Sequence, residues 1–453
     1  MTKPNVLFIT TDHLRYDCVG VNGNPHIHTP VLDRLAAEGV TLDQLWVNNA
    51  LCMPSRASIW TGRYPENHRV TCNGVPLRSS ERTMAHAFAD AGYRTHNVGK
   101  LHFQCHEAAR TAAENRDVYA GYGYDVNLLS DEPGCYDDEY VEWVRSKDES
   151  EVDHCRVPMP ADRNGPETRY PFAGPLELSH PMWIASEAGR LIREADRGQP
   201  WFMSAGFYAP HPPFNPPQKY LDLYDPADLP MPVAHQKVGN IEGETWREVK
   251  QYFYAMVSHV DEAVGRMLDA LAESGQAENT IVVFTSDHGD ALGDFGRVNK
   301  GPFNHDSVLR VPCIVRWPAG LPGGRRVAAM LEGIDTYPTL AELCGVETGP
   351  GVKGRGFADV WRGDGEAGRD EVLVEHRDVT SGAAVRTLRD RRWKYFVYHD
   401  GREQLFDMAE KLGEATDLSN DADYADTLNE MRRRMLQRLV EAEDDLPPRT
   451  HRY

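Results

Sequence analysis

The sequence predicts an α/β fold in which helices cover both faces of a large, mostly parallel sheet. Through residue 365, apolar strand-like segments alternate with amphipathic helical segments. That order builds parallel sheets covered by helices. After residues 363–368, short strand-like segments follow one another without helices between them, which indicates a small antiparallel sheet. We therefore expect a catalytic α/β domain over residues 1–365 and a C-terminal subdomain over residues 366–453.

The first strand and helix show the pattern most clearly. Residues 6–10 are apolar and rich in β-branched side chains, as expected for a strand buried on both faces, and Asp12 and His13 follow at its carboxyl end. Thr29 and Pro30 then offer an N-cap and a first helical residue, and Gly39 is a helix stop.

The same pattern recurs along the chain, and polar residues follow each predicted strand. Ligands of parallel sheets bind beyond the carboxyl ends of the strands, so these residues are the candidates for a site. The predicted elements are a helix from Ser80 to Ala91, strand 94–98 before Gly99-Lys100-Leu101-His102, strand 201–207 before Pro210-His211, helix 246–273, and strand 280–286 before Asp287-His288.

Two later regions depart from this alternation. Residues 121–177 are rich in Asp, Pro, Gly and Tyr and predict an irregular excursion over the sheet. The C-terminal elements are predicted as strands near 372–375, 384–388, 393–398 and 404–406 and a helix near 424–443.

Charge and cysteine usage limit the possible partners and compartment. The formal net charge is −20, which repels nucleic acid and anionic lipid, so we expect neither as a partner. The initial apolar run has four residues, too short for a signal peptide or a membrane span. The 8 cysteines are scattered without a CxxC pair. A reduced, cytoplasmic protein is therefore expected.

The most specific motif surrounds Cys52. It reads Cys52-Met-Pro54-Ser-Arg56, with Thr61-Gly62 downstream. Pro54 suits a first helical turn, so Cys52 should lie at a helix amino terminus, which favours an anion and lowers a thiol pKa. A buried, inert cysteine is the alternative.

This motif resembles the signature of type I sulfatases, whose cysteine is oxidised to formylglycine. The resemblance extends to Gly99-Lys100-Leu101-His102, Pro210-His211, Ser286-Asp287-His288-Gly289, Lys300-Gly301 and Gln404-Leu405-Phe406-Asp407. It implies an alkaline-phosphatase-like fold and hydrolysis of a small sulfated substrate, in which an oxygen of the hydrated formylglycine attacks sulfur. It also implies a maturation enzyme as a partner.

Strand-end residues predict a divalent metal. Asp12 and Asp287, with His288, form a carboxylate-rich set that suits Ca²⁺, Mg²⁺ or Mn²⁺ better than a structural zinc. The resemblance implies Ca²⁺, with the side chain derived from Cys52 as a further ligand. Many relatives carry Asp in place of His13 and Asn in place of His288. Two imidazoles would make the ligand set softer than carboxylates alone, so Mn²⁺ stays open as the metal. Whether His13 is a ligand also stays open.

Cations and imidazoles supply the remaining chemistry. Lys100 and Lys300 would stabilise charge on the sulfuryl oxygens. The resemblance implies that Arg56 holds the formylglycine oxygens, that His211 acts with Lys300 near the leaving oxygen, and that His102 lies near the formylglycine.

Other interpretations also stay open. Asn73 would bind substrate or occupy a turn. Phosphonate monoester and phosphodiester hydrolases of the same superfamily form one alternative, although they typically have Tyr and Thr in place of Lys100 and His102. A catalytically silent binding protein is the other. Phe295 and residues 304–306 depart from the family pattern near the pocket, which leaves the substrate alcohol open.

Overall fold

A computed structural model describes residues 3–105, 111–134, 136–156, 168–239, 241–363, 365, 367–378, 382–410 and 412–443. Within these residues, nine strands form a large mixed sheet and four form a small antiparallel sheet. The predicted α/β fold class is confirmed. The division at residue 365 stays a prediction, and its neighbours 364 and 366 lie outside the described residues.

The strands of the large sheet are β1 (Asn5–Thr11), β2 (Val40–Trp46), β3 (Arg94–Gly99), β4 (Val126–Leu129), β5 (Trp201–Gly206), β6 (Thr280–Ser286), β7 (Arg310–Val311), β8 (Cys313–Arg316) and β9 (Arg325–Glu332). Those of the small sheet are β10 (Glu371–Arg377), β11 (Ala384–Asp390), β12 (Trp393–Tyr398) and β13 (Glu403–Asp407).

The α-helices follow in chain order. They are α1 (Pro30–Ala37), α2 (Cys52–Thr61), α3 (Pro65–His68), α4 (Met84–Asp90), α5 (Ala112–Tyr119), α6 (Glu139–Lys147), α7 (Val152–Cys155), α8 (His180–Glu194), α9 (Gln218–Leu221), α10 (Thr245–Glu273), α11 (Asp306–Leu309), α12 (Thr336–Cys344), α13 (Ala358–Arg362) and α14 (Ala425–Ala442). Among the described residues, no helix combines the length and apolarity that crossing a membrane requires.

The large sheet has the order β4-β3-β5-β1-β6-β8-β2-β7, with β9 beside β2. The five neighbouring strands β4, β3, β5, β1 and β6 are parallel to one another. Strand β8 runs antiparallel to both β6 and β2. The central strands end level, because Thr11 pairs with Ser286, and both Thr10 and Gly99 pair with Gly206. The polar residues that follow these strands therefore meet at one edge.

Helices cover both faces of the sheet, as the alternation along β1 shows. Leu7 and Ile9 pack into one apolar core with α1, α8 and α10. Val6 and Phe8 face the opposite core, which contains side chains of α2, α4 and α12. Because both faces are covered, residues 6–9 of β1 are all apolar and do not alternate with polar residues.

The C-terminal sheet packs against α14 on one side and joins the large domain through β10. Met431 and Met435 of α14 share a core with Leu388 and Tyr395. A buried ion cluster reinforces the junction, since Lys394 Nζ lies 2.7 Å from Asp306 Oδ1 and 2.5 Å from Glu414 Oε1.

Two sequence predictions need correction. Residues 121–177 are not only an irregular excursion, because they contain β4, which extends the sheet beside β3, and helix α6. β4 has four residues and is mostly half-buried, so it carries little apolar signal. Helix α4 starts at Met84, after Ser80, and His86 Nδ1 accepts a hydrogen bond from the Thr83 N–H.

We expect Gly206→Ala to destabilise the fold. A β-carbon at position 206 would lie 2.0 Å from the Lys100 carbonyl oxygen, a backbone atom that cannot rotate away. The free energy of unfolding should fall by about 2 kcal/mol or more, measured by denaturant titration. In the control Gly349→Ala the new atom meets Arg82 Cβ at 3.6 Å, an ordinary contact. Equal losses in both variants would contradict the close strand approach.

Candidate active site

The candidate site lies where β3, β5, β1 and β6 end, beside the amino terminus of α2. These neighbouring strands deliver Lys100, Asp12 and Asp287 to one place, and Cys52 is the first residue of α2. The sequence-predicted residues of different strands thus converge. Gly62, with φ of 65°, ends the helix in the left-handed conformation that glycine allows.

Cys52 lies among basic side chains. Its Sγ contacts Lys300 Nζ and lies 3.3 Å from His288 Nε2 and 3.5 Å from Asp12 Oδ1. Burial and Asp12 oppose ionisation, but Lys300, His288 and a hydrogen bond from His102 hold the thiol pKa well below its usual range. A buried inert cysteine would have a raised pKa instead. The surroundings of Cys52 are therefore those of a reactive group.

Oxygen, nitrogen and sulfur atoms converge here in a way that suits a metal ion. One group is formed by Asp12, Cys52, Asp287 and His288, and a second by Asp12, His13, Cys52 and His211, with the donor atoms of each group within 4.8 Å of one another. Asp287 Oδ1 and His13 Nε2 are buried there and have no hydrogen-bond partner within the described part of the chain. Such atoms are costly unless a ligand satisfies them, so this donor set fits a divalent cation.

Asp290 orients the imidazole of His13. Its Oδ2 lies 2.6 Å from His13 Nδ1, which directs Nε2 toward Asp12, 3.7 Å from Oδ1. A carboxylate bound to the far nitrogen is the usual partner of a metal-ligating histidine. His13 also has φ of 70°, a strained backbone conformation of the kind found at functional sites.

His288 is oriented in a similar way. Its Nδ1 lies 2.8 Å from the Gly289 carbonyl oxygen, so Nε2 faces Asp12 Oδ1 at 3.3 Å. Burial and Lys300 lower its basicity, but Asp287, Cys52 and Asp12 outweigh them and raise the pKa of His288 to about 10. Strong local negative charge is therefore present where a cation would bind.

Arg56 is fully buried and links two strand ends of the site. Its Nε donates to Asp287 Oδ2 at 2.7 Å, and its Nη1 donates to the Lys100 carbonyl at 3.0 Å. The guanidinium thus fixes one candidate metal ligand and one strand end. The sequence-based role of holding the oxygens at residue 52 stays a prediction.

The two lysines both lie beside Asp12, each nearer a different carboxylate oxygen. Lys100 Nζ lies 2.8 Å from Asp12 Oδ2 and 5.2 Å from the centre of the Tyr208 ring. Lys300 Nζ lies 3.0 Å from His288 Nε2. Burial lowers the pKa of each lysine, but Asp12 and Cys52 outweigh burial and raise it. Both side chains are therefore cationic at neutral pH.

His211 and His102 complete the ring around Cys52. The Nδ1 atom of His211 lies 2.5 Å from the Pro212 carbonyl and 2.9 Å from the Tyr208 hydroxyl. Burial, then His13, lowers the pKa of His211 to about 4, so it is neutral at pH 7. His102 has φ of 56°, and its backbone N–H donates to Asp131 Oδ1 at 2.7 Å.

Asn73 is exposed, and its Oδ1 accepts a hydrogen bond from the Met53 N–H at 3.1 Å. The side chain thus satisfies a donor at the start of α2, the function of a capping residue. This contact agrees with the turn interpretation of Asn73, and its contact with substrate stays a prediction.

Sequence analysis missed Asp290, Asp131 and Tyr208. Asp290 stands two residues after His288, and an Asp-His-Gly-Asp stretch at a strand end is a signal that can be read. Asp131 follows β4, and because the sequence did not predict this strand, it did not indicate Asp131 as a strand-end residue. Tyr208 was hidden because a tyrosine near a strand end is common in any core.

Comparisons with known proteins agree with this geometry. Residues 4–346 match the family described as Sulfatase, and residues 293–441 match the family N-sulphoglucosamine sulphohydrolase, C-terminal. An arylsulfatase of Clostridium perfringens is 30% identical over 471 residues, covering 98% of this chain and 95% of that protein. A choline-sulfatase of Rhizobium meliloti is 28% identical, covering 92% of this chain and 82% of that protein.

A solved structure extends the comparison. The phosphonate monoester hydrolase of Agrobacterium radiobacter superposes with a TM-score of 0.85 at 26% sequence identity. The match covers 98% of this chain and 96% of that one. The large sheet and the small C-terminal sheet thus occur together in a known enzyme fold.

We expect Asp290→Asn to weaken metal binding, because the amide no longer holds His13 with a negative charge. The dissociation constant for Mn²⁺, measured by isothermal titration calorimetry, should rise by roughly tenfold or more. The control is Asp261→Asn, a buried aspartate that accepts the N–H groups of Val31 and Leu32. Unchanged Mn²⁺ affinity in Asp290→Asn would remove His13 from the ligand set.

Proposed function

This chain belongs to the sulfatase family and is an enzyme of that family; we propose that it hydrolyses sulfate monoesters through a formylglycine made from Cys52 beside a divalent cation. The observation that carries the proposal is the position of Cys52. It opens α2 within reach of Lys300 and His288, whose charges favour an anionic group at residue 52, and beside Asp12, a candidate metal ligand.

Asp12, Asp287 and His288 would hold the cation, with His13 and the side chain of residue 52 as further ligands. When bound, the ion would act as a Lewis acid that polarises a sulfate oxygen and lowers the pKa of the attacking hydroxyl. We propose Ca²⁺ as the resident ion, in line with the carboxylates. Mn²⁺ is the alternative that the two imidazoles favour.

The formylglycine would supply a hydrated aldehyde as the covalent nucleophile. A maturation enzyme that oxidises Cys52 is therefore part of the proposal. The chain's own residues would bind the sulfate: Lys100 and Lys300 each present a cationic Nζ to its oxygens, where fixed charge stabilises the transition state.

His211 would transfer a proton to the leaving oxygen of the alcohol. It is neutral at rest, because burial lowers its pKa to about 4. An anionic sulfate beside the ring would raise that pKa, since negative charge stabilises the imidazolium. Nδ1 is directed at the Pro212 carbonyl, so Nε2 is the atom that would carry the mobile proton.

A phosphonate monoester or phosphodiester hydrolase is the second candidate, favoured by the likeness to the Agrobacterium radiobacter enzyme. Lys100 and His102 support sulfate over this alternative, because those hydrolases typically carry Tyr and Thr at these positions.

We expect Cys52→Ala to lower kcat for an aryl sulfate by roughly three orders of magnitude or more, because the nucleophile is lost. Intact mass of the matured wild type should show one sulfur and two hydrogens replaced by one oxygen. The control Cys105→Ala should keep the mass change and the activity. Full activity in Cys52→Ala would rule out covalent catalysis at this residue.

We expect the matured enzyme to prefer sulfate to phosphonate. Steady-state kcat/KM would be compared on an aryl sulfate and the matched aryl phosphonate monoester, after chelation and reloading with a single metal. Chelation should abolish turnover, and Ca²⁺ or Mn²⁺ should restore it. A large preference for the phosphonate would favour the second candidate.

A further inference from the structure

A cavity of about 390 Å³ lies between the loop that carries Lys300 and the small C-terminal sheet. Its volume is in the range of small-molecule sites. Phe295 and Phe303 stand on either side of Lys300 in the loop, so the cavity adjoins the segment that reaches Cys52. The aromatic lining residues are Phe295, Phe303, His305, Phe396, Tyr398 and Phe406.

Edge-to-face contacts fix the orientation of these rings. The centroids of Phe295 and His305 lie 4.9 Å apart at 72°. Those of Phe396 and Phe406 lie 5.6 Å apart at 87°. One aromatic wall therefore belongs to the Lys300 loop and the other to β12 and β13. Two ordered aromatic walls favour a flat or ring-shaped apolar ligand over a flexible chain.

Arg297 is the lining side chain that can bind an anion on that ligand. Glu414 is paired with Lys394, at 2.5 Å, which also binds Asp306. Asp417 Oδ1 accepts the N–H groups of Leu405 and Ser419. Arg297 is exposed, and its guanidinium lies 5.7 Å from the Phe303 ring centre. Among the residues that the structure describes, no ion pair occupies this arginine. Its fork suits a carboxylate.

We propose that this cavity binds the leaving-group alcohol of the sulfate ester, that this alcohol carries an aromatic ring, and that Arg297 binds a carboxylate on the ring. The inference rests on the proposed sulfate hydrolysis and names its substrate class. The sulfate would lie at Cys52 and Lys300, and the ring would lie between the walls formed by the same loop and the small sheet.

The kinetic test uses ethyl sulfate, phenyl sulfate and para-carboxyphenyl sulfate with the matured, metal-loaded enzyme. Ratios of kcat/KM are compared between variants, so that the intrinsic reactivities of the esters cancel. In Arg297→Gln the ratio of para-carboxyphenyl to phenyl sulfate should fall by roughly fivefold, the value of a partly exposed ion pair. Arg297→Lys should restore part of the loss, and Arg433→Gln, at an exposed position of α14, is the matched control.

The aromatic wall is tested with Phe303→Leu. The ratio of phenyl to ethyl sulfate should fall by up to about tenfold, because a ring contact is lost while apolar area is kept. Equal losses on all three esters would mean that the substitution disturbs Lys300. That result, or unchanged ratios in both Arg297→Gln and Phe303→Leu, would overturn the proposal.

A binding measurement separates this proposal from the proposed function. Calorimetry with para-hydroxybenzoate and the Cys52→Ala protein requires no turnover. Weaker binding after adding Arg297→Gln supports the subsite even if no sulfate ester is hydrolysed, in which case only the proposed function fails. Absence of binding, in a protein whose wild type does hydrolyse aryl sulfates, overturns the subsite alone.

Discussion

The contact between Asp12 and Lys100 is the interaction on which the rest of the site depends. Both side chains are fully buried, and their charged atoms lie 2.8 Å apart. Burial would raise the pKa of Asp12, but Lys100 and Lys300 hold it well below its usual range. A buried ion pair of this kind adds little stability by itself. Its function is to keep a carboxylate charged at the carboxyl end of the central strand β1.

The neighbouring Asp287 is affected in the opposite way. Burial and the charge of Asp12 raise its pKa, while Arg56 opposes them. The pKa values of the two carboxylates are thus shifted in opposite directions, because the two negative charges repel each other until a cation lies between them. The large sheet supports the arrangement, since the level ends of β1 and β6 fix the spacing of the two aspartates. The fixed spacing of the two aspartates therefore determines both the metal site and the local electrostatics.

Much of the fold and of the site can be predicted because the relevant signals are local. The apolar run of β1 and the motif at Cys52 each specify a conformation within a few residues, and strand ends then bring Asp12 and Asp287 together. β4 and the antiparallel β8 are too short for such a signal. The contact of Asp290 with His13 spans the chain, so only the folded structure reveals it.

The burial of α2 has a consequence for the order of events in the life of the chain. All ten of its residues are buried, and Cys52 is 1% exposed. Under the proposed function, an enzyme that oxidises Cys52 would need access to a side chain that the folded chain buries. Such a maturation step would compete with folding, and a chain that folded first would keep its thiol. Expression conditions that slow folding would raise the active fraction without changing the sequence.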